Sequence, residues 1–162
     1  MGIELNIDEV FDMAGKIEQD AAAFYTQAAS ASGDTVRREV LLRLASMEAD
    51  HVHVFAGMRA RLDAGSAADR LETGEDVRKN WGLLVNLLES GITQDLAKRF
   101  TGREASDQIL LKALEFEKDT IVFFLGLKNA LSRPEDKETM DGIIREELGH
   151  ILTLTGELAA AR

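Results

Sequence analysis

The sequence predicts an all-α protein: an antiparallel four-helix bundle with a long crossover between its second and third helices. Three observations carry this. The 162 residues include one proline, no cysteine and few β-branched runs, and 45% are apolar, which suits one domain with a proper core built from helices. Four long segments repeat apolar residues in alternating steps of three and four, the spacing that lines one helix face. Turn signals at Ser32-Gly33-Asp34 and Ser132-Arg133-Pro134-Glu135 divide these segments into two hairpins.

The first helix is expected from about Ile7 to Ser30, opened by a capping box in which Asn6 caps and Glu9 answers three residues later. Gly33 interrupts it, and Asp34 offers a cap for a second helix running to about Asp63. The third should span about Ser106 to Leu131. Ser132 then reads as a cap, Pro134 as an early-turn proline and Glu135 as a capping-box partner for a fourth helix ending near Leu158. Residues 64–105 are too many for a tight turn, so they are read as a crossover that sets helix three parallel to helix two. Within them Trp81, Leu83, Leu84, Leu87 and Leu88 suggest a short amphipathic helix near 76–89, with Trp81 packing the crossover onto the bundle or a second subunit.

Charge and composition exclude several functions. A net charge of -10, with basic residues scattered as pairs or singles, argues against nucleic-acid and anionic-membrane partners. Without cysteine there is no disulfide, iron–sulfur cluster or thiolate-bound zinc. The start of the chain lacks the basic and apolar regions of a signal peptide, and the longest apolar run, Ile121 to Leu125, is far too short to span a bilayer, so a cytoplasmic location is expected.

One pattern occurs twice. Glu18 precedes Glu48 by 30 residues, and Glu117 precedes Glu147 by 30; His51 and His150 follow the second glutamates by three; the two copies are offset by 99 residues throughout. The midpoints of the two pairs fall on Gly33 and Ser132, at the predicted turns. Each glutamate pair should therefore meet at one depth, ~22 Å from its turn. All six residues also fall on the core stripes. These read Phe11, Ala14, Glu18, Ala21, Tyr25, Ala28; Leu41, Leu44, Glu48, His51, Phe55, Met58, Leu62; Leu110, Leu114, Glu117, Ile121, Phe124; and Met140, Ile143, Glu147, His150, Leu154. Four bare carboxylates in a core would cost several kcal/mol each. Two divalent cations balance four carboxylates and two neutral imidazoles, and Glu-x-x-His sets two ligands one turn apart on one face. Oxygen and imidazole without sulfur suit iron or manganese and also accept zinc.

On these residues the chain resembles the ferritin-like diiron carboxylate superfamily, and within it the rubrerythrins. The resemblance rests on Glu18 to Tyr25, Met47 to His51, Glu117 to Phe124 and Glu146 to His150; it covers the four long helices and not 64–105. The halves also match at Asp20 and Phe24 against Asp119 and Phe123, as a duplicated hairpin would. The resemblance implies two iron ions bridged by Glu48 and Glu147, with Glu18, Glu117, His51 and His150 as terminal ligands. It implies reduction of hydrogen peroxide or dioxygen, and a homodimer. Rubrerythrins carry a cysteine-rich iron domain that feeds in electrons; this chain has none, so a separate donor, such as a rubredoxin-type protein, is expected. Rubrerythrins also carry an extra carboxylate one turn from the third-helix glutamate, where this chain has Leu114 and Thr120. The alternatives are a ferroxidase that handles iron and a non-redox bundle held by zinc or manganese.

Tyr25, two turns after Glu18, is placed either to hydrogen-bond a ligand carboxylate and lie near bound oxygen species, or as a core tyrosine with a satisfied hydroxyl. His53 is off the face of His51 and reads as surface or interface. Asp20, Asp50 and Asp119 point away from the ligands they neighbour, and Glu115 and Glu146 fall outside the stripes.

Overall fold

A computed structural model describes residues 7–63, 82, 84 and 104–161 of the chain. Four long helices carry the fold: α1 (Ile7–Ala31), α2 (Thr35–Asp63), α3 (Ser106–Ala130) and α4 (Pro134–Ala160). Their ends lie within two residues of those read from the apolar spacing. Asn6, Trp81 and most of the 76–89 segment lie outside the described residues; Gly82 and Leu84 are helical.

The two turns are closed by different chemistry. Asp34 caps α2, its Oδ1 accepting the backbone N–H of Arg37 at 3.1 Å. That hydrogen bond holds the Asp34 carboxyl below its usual range. The second turn departs from the expected capping box. Pro134 is the first helical residue and Arg133 holds the cap position, its own side chain making no capping hydrogen bond. Proline favours the first helical position because its fixed φ suits the helix and its missing N–H is not needed there. The cap is thereby one residue later than Ser132, and the third helical position passes from Glu135 to Asp136. Asp136 is buried, with Arg61 Nη2 3.5 Å from its Oδ1 and Arg133 Nε 3.9 Å from its Oδ2.

Contacts along the bundle fix the helix directions. At one end, Arg37 at the start of α2 lies 3.5 Å from Glu157 at the end of α4. Ser106 and Leu110 at the start of α3 share a cavity wall with Ala28 and Leu41 there. At the other end, Phe11 of α1 meets Phe55 of α2, Phe55 meets Phe124 of α3, and Arg61 reaches Asp136 of α4. Helices α2 and α3 therefore run parallel, and each hairpin is antiparallel. The chief packing is within the hairpins, α1 on α2 and α3 on α4, while α1 touches α3 and α2 touches α4 across the bundle.

The expected stripes are buried at every described position except Ile121, which is half-buried. Helices α1 and α3 bury more than a stripe. Ile17, Phe24 and Ala29, and on α3 Ala113, Phe116, Phe123 and Leu127, are also inside. On α3 the extra cover includes Leu84, itself 1% exposed, which presses on Gly126; a Cβ there would lie 2.7 Å from Leu84 Cδ2. Glycine is what permits this close approach. Among the described residues no helix is long and apolar enough to cross a membrane.

Candidate metal centre

Every helix contributes to a polar cluster in the middle of this core. Glu18 comes from α1, Glu48 and His51 from α2, Glu117 from α3, and Glu147 and His150 from α4. All six are at most 2% exposed. Helical periodicity explains the placement: each lies on the stripe that the surrounding leucines, alanines and phenylalanines drive inward.

The six form two groups that share two members. One is Glu18, Glu48, His51 and Glu147; the other is Glu48, Glu117, Glu147 and His150. In each, one potential ligand atom per residue lies within 4.8 Å of all the others. His51 Nδ1 is 2.9 Å from Glu147 Oε1, 3.3 Å from Glu48 Oε2 and 3.6 Å from Glu18 Oε1. His150 Nδ1 is 2.9 Å from Glu147 Oε2, 3.0 Å from Glu48 Oε1 and 3.8 Å from Glu117 Oε1. Glu48 and Glu147 thus each turn one oxygen toward either histidine, whereas Glu18 serves only the first and Glu117 only the second. The imidazoles lie nearly parallel, 25° apart, with centroids separated by 6.1 Å.

A divalent metal pair suits these side chains. Both oxygens of Glu18, Glu48 and Glu147, Oε2 of Glu117 and Nδ1 of both histidines are buried without a hydrogen-bond partner. Buried polar atoms are nearly always satisfied, so such a concentration of orphans, all converging, is consistent with a dinuclear cation site. Charge distribution within the protein alone is consistent with this. Burial pushes Glu18 well above the carboxylate range, and pushes Glu117 up to about 8 against the pull of His150. Burial also acts on Glu48 and Glu147, but there the neighbouring imidazoles win, lowering Glu147 and bringing Glu48 to about 2. Burial disfavours the imidazolium of both histidines, yet the surrounding carboxylates raise both, His150 to about 12. Protons are thus favoured on Glu18, Glu117 and the two imidazoles, and disfavoured on Glu48 and Glu147.

Two further residues complete the surroundings. Tyr25, fully buried, donates its hydroxyl hydrogen to Glu117 Oε1, across from α1 to α3. Burial and the Glu117 charge raise the phenol well above its usual range, so the proton stays on the tyrosine. Glu146 Oε2 lies 3.1 Å from Nε2 of His51, the nitrogen facing away from the carboxylates. Sequence spacing had set Glu146 aside because it is off the stripe and exposed; a position beside a ligand and facing the adjacent helix is the signal that would have found it. His53, Asp50, Asp119 and Glu115 are exposed and take no part. Asp20 is half-buried and paired with Lys16. Leu114 and Thr120, one turn to either side of Glu117, are both buried, Thr120 with its hydroxyl unpartnered.

No protein-family model and no curated protein matches the chain. Among solved structures, a protein of Thermotoga maritima described as a ferritin-like diiron-carboxylate protein matches over 100% of both chains, with a TM-score of 0.71 and 19% sequence identity. The chain has the ferritin-like fold. At that identity the likeness is one of architecture, and the chemistry rests on the six side chains themselves.

Proposed function

We propose that the protein is a non-haem diiron oxidoreductase that reduces hydrogen peroxide, or dioxygen, using electrons from a separate donor protein. The observation carrying this reading is the pair of buried Glu/His clusters that share Glu48 and Glu147. Glu48 and Glu147 would be shared by two iron ions, with Glu18 and His51 holding one and Glu117 and His150 the other. Ferrous ions bound there would supply the two electrons of each reduction, with an external reductant restoring them. The chain's own residues do the rest. The four carboxylates offset the charge, and the apolar shell of Phe11, Phe55 and Phe124 excludes bulk water. Tyr25 keeps Glu117 oriented and holds a proton beside it. The peroxide preference is supported by the resemblance to rubrerythrins, and so is an electron donor built on cysteine-bound iron.

Anaerobic loading with ferrous iron followed by peroxide tests this. Fast, stoichiometric oxidation reversed by a rubredoxin-type donor is expected. Retention of many irons per chain would indicate iron handling instead, and no oxidation by peroxide or dioxygen would leave a structural metal site.

A further inference from the structure

The two histidines are equivalent on the inside of the centre and unlike on the outside. Each turns Nδ1 to the shared carboxylates, 2.9 Å from Glu147. On its outer edge His51 finds the carboxylate of Glu146. The residue 99 positions before Glu146 is Met47, so the acid beside His51 has a methionine as its counterpart on the His150 side. His150 Nε2 accordingly has no hydrogen-bond partner, although the residue is 1% exposed. A cavity of about 310 Å³ opens between α2 and α4 at this place, walled by His150, Met47, Leu44, Arg43, Glu146 and Thr153.

We propose that this cavity binds a small monocarboxylate, which accepts a hydrogen bond from His150 Nε2 and so supplies from solution what Glu146 supplies to His51. The proposal rests on the metal reading, because an imidazole that gives Nδ1 to a metal carries its proton on Nε2 and needs an acceptor there. The volume holds several water-sized groups, enough for a carboxylate with a short chain. Leu44 and Met47 offer apolar contact for that chain. Arg43 has no ion pair among the described residues and stands ready as the counter-charge; guanidinium and carboxylate match in geometry. Glu146 on the opposite wall, engaged with His51, opposes ligands of higher negative charge. Water would satisfy the imidazole alone, whereas a carboxylate also gains the charge-assisted contact with the exposed Arg43.

The test uses the full-length protein loaded with zinc, which is diamagnetic, with ¹⁵N-labelled histidine. Acetate is titrated at constant ionic strength against chloride while the imidazole resonances are followed. A saturable shift at His150 Nε2, with His51 unmoved, is expected. Arg43→Gln should weaken the apparent affinity about tenfold, the loss of one charge-assisted contact. Met47→Glu, which builds the missing acid into the chain, should abolish the response and give His150 a resonance like that of His51. Two zinc ions bound with no saturable shift, or a shift unaltered in both variants, would overturn the proposal while leaving the metal centre intact. Failure to take up either zinc or ferrous iron would overturn the metal reading and this proposal with it.

Discussion

Glu147 and Glu18 differ in one respect that mutation can expose: the first faces both histidines and the second only one. Glu147→Ala should cut metal content from about two ions per chain to well below one, while Glu18→Ala should leave about one. Elemental analysis of protein purified with iron distinguishes these; equal losses in both variants would refute the bridging assignment. Tyr25→Phe should keep the metals and cost about 1–3 kcal/mol in stability, because the buried Glu117 carboxylate loses its donor. Denaturant unfolding measures that. The six acids and bases were legible in the sequence because they obey the same period as the leucines around them. The bond of Glu146 to His51 was not, and that of Tyr25 was legible only as one of two readings without its partner on α3, since each joins two helices whose relative rotation no single-helix pattern contains.

Helix identity came from apolar spacing, and the cap on α2 from Asp34 alone. The start of α4 was misjudged by one residue because Ser132 and Glu135 suit a capping box while Pro134 independently fixes the first turn, and the proline prevailed. The wide burial of α1 and α3 was also hidden: it depends on cover such as Leu84, which a stripe drawn from one helix does not reveal. This suggests a comparison within the same kind of substitution. Gly126→Ala forces a methyl group into Leu84 and should lower stability by about 1–3 kcal/mol, whereas Gly142→Ala on α4, with nothing within 4 Å, should raise it by about 0.5–1 kcal/mol. Thermal midpoints of the two variants moving in the same direction would contradict the packing described.

At the scale of the molecule, metal uptake and protonation compete. Glu48 and Glu147 have lowered affinities for protons beside their imidazoles, whereas burial raises that of Glu18 and Glu117 and the surrounding carboxylates raise that of His51 and His150. Filling both positions should therefore release up to four protons, one from each of the latter four residues. Raising the pH removes the competitor, so apparent metal affinity should climb between pH 6 and 8 and fall as the solution is acidified. Calorimetry in buffers of different ionisation enthalpy counts the protons; a pH-independent affinity would show that these groups do not bind metal.

The sharing of Glu48 and Glu147 reaches beyond the centre itself. Each cluster takes three residues from one hairpin and one from the other. A hairpin alone cannot complete even a single cluster, and two copies of one hairpin would have every residue type required to complete both. The 99-residue repeat thus has a plain history available to it: a short helix–turn–helix peptide that found its partner through the ions it trapped, and whose two copies were later written into one gene.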